Sequence, residues 1–184
     1  MVFIDTGLPG AFVVEPERVE DERGFFARTW CAREFEERGL DPRLVQCNMS
    51  RNRARWTLRG MHYQVAPHAE AKLVRCTMGA IYDVLVDLRP SSGSYLRWFG
   101  AELTAENHRA LYVPEGFAHG FLTLTDESEV FYQMSQFYAP QAAQGVRWND
   151  PVLAIEWPGP VHVISERDRG YPDYQPARRP ETRA

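Results

Sequence analysis

The feature that most constrains this chain is a succession of short segments in which side chains alternate between apolar and polar, each closed by turn-forming residues. The clearest runs from Ala80 to Leu88. Tyr82, Val84, Val86 and Leu88 fall on one face, and Ile81, Asp83, Leu85 and Asp87 fall on the other. A period of two belongs to a strand rather than a helix. Trp98 to Leu103, Ala110 to Val113, Gly120 to Leu124 and Glu129 to Ser135 read the same way, with Thr104 to Asn107 as a turn between two of them. Upstream, Ala11 to Val14 ends before Pro16. Gly24 to Trp30 follows the turn at Asp21 to Gly24, and Leu44 to Asn48 alternates. Only Arg33 to Arg38, stopped at Gly39, reads as a helix. Beyond Tyr138, Pro140, Pro151, Pro158 and Pro160 allow only short pieces of structure.

Two further strands, Leu58 to Gln64 and Ala71 to Arg75, occupy the middle of the chain, and Gly79 suggests that the second pairs with Ala80 to Leu88 as a hairpin. Many short strands and one short helix predict an all-β fold, best matched by a cupin-type jelly-roll barrel. A length of 184 residues fits one domain over 1–184 with a substantial core, and residues from Gly170 to the end read as a loosely held tail. The net charge of -4, with no basic stripe, argues against nucleic acid as a partner. Arg51, Arg53 and Arg55 read as a solvated loop. No apolar run reaches the length of a membrane span, and the first residues lack a signal-peptide pattern. Cys31, Cys47 and Cys76 are scattered without a C-x-x-C pair. They suggest neither a zinc site nor a disulfide framework, and a cytoplasmic location with reduced thiols is expected.

A barrel of this type holds a ligand between its sheets, marked by polar side chains that point inward. The candidates are Arg59, His62, Lys72, His119 and Tyr132. Gln64 shares a strand face with His62, and Lys72 can meet that face from the next strand. A histidine beside a lysine suits removal of a proton next to a carbonyl, the lysine steadying the oxyanion that results. The same two residues are also consistent with a core histidine and a solvated edge lysine. Pro114 to His119 resembles the second metal motif of metal-binding cupins. The first motif is incomplete, because Gln64 stands where a second histidine is needed and His68 and Glu70 are wrongly spaced. No metal site is therefore expected. Tyr132 reads either as a core tyrosine or as a phenol acid facing His62. Asp168 is a surface carboxylate, unless it is held against the far nitrogen of His62 and fixes its tautomer.

Eight segments in order carry a resemblance to the dTDP-4-dehydrorhamnose 3,5-epimerase family. They are Asp21 to Phe26, Gln46 to Ser50, Leu58 to Gln64, Ala71 to Arg75, Asp83 to Arg89, Pro114 to Phe121, Trp148 to Pro151 and Ser165 to Asp168, within roughly residues 2 to 172. The resemblance implies a cupin-fold homodimer that needs no metal or organic cofactor. It implies epimerisation of a nucleotide-diphospho-4-keto-6-deoxyhexose at C3 and C5. His62 matches the base, Asp168 its orienting partner, Tyr132 the acid on the opposite face of the sugar, and Lys72 the group beside the C4 oxygen. Arg23 and Arg59 match the residues that hold the diphosphate, a task suited to the guanidinium fork. Gln46, Asn48, His119 and Tyr138 match further pocket residues. Phe25 and Phe26 are packing partners for the nucleotide base or sugar.

The chain departs from the family pattern around the nucleotide. Arg28 stands where an acid is usual, Ala143 and Gln144 occupy a region where a glutamate is common, and Arg167 replaces a lysine. The loop between Ser50 and Arg59 is one residue longer than usual. These departures leave open a single-centre epimerase, or one that uses another nucleotide. From a different class, a jelly-roll module that binds a nucleotide sugar without turning it over also remains open.

Overall fold

The structure is a computed structural model that describes residues 1–177. Two antiparallel sheets enclose the core. The first contains β1 (Val2–Asp5), β2 (Phe12–Glu15), β5 (Gln46–Asn52), β7 (Lys72–Met78), β10 (Ala110–Val113) and β12 (Ser128–Met134), in the order β1-β2-β10-β7-β12-β5. The second contains β6 (Leu58–Gln64), β8 (Ala80–Asp87), β9 (Trp98–Thr104), β11 (Phe117–Thr123) and β13 (Ala143–Gly145), in the order β13-β6-β11-β8-β9. Val13, Val74, Leu111 and Val130 of the first sheet pack against Ile81, Leu85, Leu103 and Phe121 of the second. Alternation explains this directly, since every second residue of each strand must leave water. Two short helices, α1 (Ala32–Glu36) and α2 (Glu166–Arg169), complete the all-β fold. No helix among the described residues is long and apolar enough to cross a membrane.

The expected hairpin across Gly79 does not form. β7 pairs with β10 and β12, while β8 pairs with β9 and β11, so the chain changes sheets at this point. Gly79 takes a positive φ of 71°, and a side chain there would meet Thr125 Oγ1 at 2.4 Å, so the corner requires glycine. Residues 24–30 form a shorter strand than expected. Only β4 (Gly24–Ala27) is extended, because its single partner is the equally short β3 (Arg18–Asp21). This ribbon belongs to neither main sheet. Conversely, the strand expected over 44–48 runs to Asn52, so Arg51 lies on a strand rather than in a solvated loop. Its guanidinium pairs with Glu127 at 2.8 Å. The chain beyond Gly170 follows the barrel surface as far as residue 177. Tyr174 N donates to Asp150 Oδ2 at 2.6 Å, and Ala177 N donates to the Tyr95 hydroxyl at 2.8 Å. The rest of the expected tail lies outside the described residues.

Candidate active site

A cavity of about 380 Å³ opens between the two sheets, with Arg59, His62, His119 and Phe121 on one wall and Lys72 and Tyr132 on the other. Plain alternation along β6 would place Arg59 and His62 on opposite faces. A β-bulge brings them together. His62 pairs with His119 and Arg59 with Phe121, so three steps along β6 match two along β11. Glycines permit it. A Cβ on Gly60 would stand 2.5 Å from Gly120 Cα, and one on Gly120 would stand 2.7 Å from the Arg59 carbonyl oxygen. Gly60 also holds φ at 136°, a region that other residues rarely adopt.

The ring of His62 meets Asp168 through Nε2, 2.7 Å from Oδ1. The other carboxylate oxygen accepts a hydrogen bond from Gly60 N at 3.2 Å. Asp168 is 4% exposed. It sits in α2, where Ser165 caps the first turn by accepting from Asp168 N at 3.1 Å. Burial acts to raise the carboxyl's pKa, but the hydrogen bond and charge of His62, with help from Gly60 and Ser165, outweigh it and hold the group below its ordinary value. Asp168 therefore stays an anion that fixes one nitrogen of His62, while Nδ1 has no hydrogen-bond partner among the described residues.

On the opposite wall, burial pushes the Tyr132 phenol above its ordinary value, with a smaller opposing effect from Arg59. A phenol in this state keeps its proton and can give it up only to a strong base. Lys72 is 7% exposed. Its ammonium donates to the His62 carbonyl oxygen at 3.3 Å and pairs with Glu70 Oε1 at 3.0 Å. His119 repeats the construction of His62, with Nε2 2.8 Å from Oδ1 of Asp83, which is fully buried. Arg59 Nε donates to Asn52 Oδ1 at 2.7 Å, which aims its guanidinium along the wall.

A neighbouring cavity of about 310 Å³ shares His62, Lys72 and Tyr132 and adds Gln46, Asn48, Tyr138 and Arg167. Gln46 donates to Asn48 Oδ1 at 3.1 Å and accepts from Tyr138 N at 3.1 Å, tying the three together. Ala143 and Gln144 line the same space from β13. Gln64 serves the backbone. It accepts from Ala139 N at 2.6 Å and donates to the carbonyls of His68 and Phe137 at 2.9 and 3.2 Å. Among the described residues, no group of three His, Cys, Asp or Glu side chains is arranged to hold a metal ion.

Within one chain, the structure does not bring Arg23, Phe25 or Phe26 to these cavities. All three lie on the β3–β4 ribbon, which pairs with neither main sheet. The Arg23 side chain is 85% exposed and paired with Asp21, Phe26 is 74% exposed, and Phe25 packs against His108 with ring centroids 5.0 Å apart. Arg28 pairs with Glu34 at 3.0 Å and is not among the residues that line either cavity. Sequence reasoning missed Ser50 and Arg51, which line the first cavity, Glu70, which lines the second, and Asp83, which holds His119. An aspartate between Ile81 and Leu85 on an apolar face was the visible sign of Asp83, and Ser50 continues the alternation of Gln46 and Asn48.

The fold and the site together define a jelly-roll protein whose two sheets enclose a cavity with a histidine–aspartate pair facing a phenol and an ammonium. A family model for dTDP-4-dehydrorhamnose 3,5-epimerase matches residues 5–175. The dTDP-4-dehydrorhamnose 3,5-epimerase of Shigella flexneri is 43% identical over 169 residues, covering 91% of this chain and 93% of the relative. The crystal structure of the enzyme of that name from Elizabethkingia anophelis superposes with a TM-score of 0.92 at 40% identity, covering 95% of this chain and 96% of the other. The one from Bacillus anthracis, which holds TDP and PPi, gives 0.90 at 41%, covering 94% and 99%. This chain belongs to the dTDP-4-dehydrorhamnose 3,5-epimerase family.

Proposed function

We propose that the chain converts dTDP-4-dehydro-6-deoxyglucose to dTDP-4-dehydrorhamnose by inverting C3 and C5, a step of dTDP-rhamnose synthesis. The observation that carries this reading is one cavity with a histidine–aspartate pair on one wall and a half-buried phenol and a buried ammonium on the other. C3 and C5 both flank the C4 ketone. His62 takes the proton from either carbon, and the electron pair of the broken C–H bond passes to the C4 oxygen, where Lys72 stabilises the enolate. Tyr132 or water then returns a proton to the carbon from the opposite face, and the centre inverts. Tyr132 is the acid of this scheme; its phenoxide recovers a proton from solvent, and the protonated His62 releases the abstracted proton to solvent. A non-catalytic binder has no use for a base and an acid on facing walls.

Arg59 takes the diphosphate, and Gln46, Asn48, His119, Tyr138 and Arg167 take the rest of the nucleotide sugar. The reaction needs no redox partner. The position at which a metal-binding cupin would require a second histidine is occupied by Gln64, whose carboxamide is committed to the backbone. The working form in this proposal is a homodimer, in which the exposed β3–β4 ribbon carries Arg23, Phe25 and Phe26 to the cavity of a second copy. A cytoplasmic setting accords with three cysteines that are all free. Incubation with dTDP-4-dehydro-6-deoxyglucose, followed by NMR of the ring-proton couplings, tests the assignment. Couplings of the rhamno configuration are expected. An unchanged gluco pattern would refute it.

A further inference from the structure

We propose that Glu70 is a positioning residue that aims Lys72 at the substrate's C4 oxygen, an inference that rests on the epimerase reading above. Glu70 lies two residues before Lys72, the first residue of β7. Their charged ends meet at 3.0 Å, with side chains only 3% and 9% exposed. An ammonium has three N–H donors. One is donated to the His62 carbonyl oxygen at 3.3 Å, and the Glu70 carboxylate holds the same nitrogen as an ion pair at 3.0 Å. The hydrogen bond and the ion pair together fix where the nitrogen sits and leave N–H donors for the cavity that Lys72 lines together with His62 and Tyr132.

Stability does not account for the pair. A buried ion pair is often no better than apolar packing of the same volume, because both charges must leave water. Here the arrangement is also incomplete. Glu70 Oε2 is buried and has no hydrogen-bond partner among the described residues. A carboxylate left half satisfied beside the lysine that meets the enolate is explained by what it does for that lysine. Glu70 also lines the neighbouring cavity, which shares His62, Lys72 and Tyr132 with the first. A free lysine would sample many rotamers, and each misdirected one removes a donor present only when negative charge develops on oxygen. Loss of Glu70 therefore lowers turnover and leaves ground-state binding of the nucleotide sugar nearly intact.

A double-mutant cycle tests this. Deuterium incorporation at C3 and C5 is followed in heavy water for wild type, Glu70→Ala, Glu70→Gln, Lys72→Met and Glu70→Ala/Lys72→Met. The wild-type rate is the control for the epimerase reading itself: absence of exchange there would sink that reading rather than this inference. Glu70→Ala is expected to lower kcat about tenfold at both carbons with KM within about twofold, and Glu70→Gln, which keeps an acceptor, to recover to within about threefold of wild type. In the Lys72→Met background, Glu70→Ala should have no further effect, because its only route to the chemistry is gone. Equal losses in both backgrounds, a loss confined to KM, or Glu70→Gln as impaired as Glu70→Ala would each overturn the proposal.

Discussion

Replacing Asp168 by Asn keeps the size of the side chain and removes its charge. The lost interaction is a charge-assisted hydrogen bond of 2.7 Å to His62 Nε2. Such a bond contributes about 1.5–3 kcal/mol, which corresponds to roughly 10- to 150-fold in rate if it is realised wholly as His62 takes on its proton. The His62 side chain is 41% exposed and Asp168 only 6%, so water partly replaces what is lost on the histidine's side. The expected fall is therefore near the lower end, about 10- to 30-fold in kcat, compared with roughly 100-fold or more for His62→Ala, which removes the base itself. The assay is initial-rate epimerisation with saturating nucleotide sugar. A second readout is stability against pH. The Asp168 carboxyl is held below its ordinary value, so its contribution is present above the unfolded value of about 3.9 and is lost as pH falls through the lower folded value. The melting-temperature gap between wild type and Asp168→Asn should thus be widest near neutral pH and close on acidification. Wild-type turnover by Asp168→Asn, or a gap that widens in acid, would refute the reasoning.

Tyr132→Phe should impair epimerisation more than proton exchange, since it removes the acid and leaves the base, and NMR in heavy water resolves the two. Gly60→Ala should destabilise the fold by about 2–4 kcal/mol in urea unfolding, because its Cβ would stand 2.5 Å from Gly120 Cα at a φ of 136°. Light scattering should find a dimer. Mixing Arg23→Ala with His62→Ala protein and allowing subunit exchange should restore about one quarter of wild-type activity, because half the dimers are mixed and each has one intact site. No restoration would mean that the β3–β4 ribbon acts on its own chain.

The strands were legible because each needs only a local pattern of period two, and the core faces of β8 and β12 follow from it. The corner at Gly79 was not, because a glycine between two strands permits both a hairpin and a change of sheet, and only the pairing of β7 with β10 and β12 decides. β1, β3 and β13 are short, and each pairs on one side only, so little of their sequence is held to alternation. His62, Lys72 and Tyr132 stood out as polar residues on strands. The inward turn of Arg59 depends on the bulge at Gly60, which needs glycine both there and at Gly120 of β11, a pairing that a local reading of β6 does not show. The apolar face around Asp83 marked it as buried, but its pairing with His119, like that of Glu70 with Lys72, follows from side-chain packing. Asp168 was foreseen through resemblance, although Ser165, three residues earlier, is itself a cap signal for α2.

The central claim is that one cavity carries proton exchange at both carbons beside the ketone. It is tested most directly by incubating the protein with dTDP-4-dehydro-6-deoxyglucose in heavy water and following C3 and C5 separately by NMR. Deuterium should enter both positions in wild type and neither in His62→Ala. Deuterium at one carbon only would make this a single-centre epimerase, and its absence at both would contradict the account.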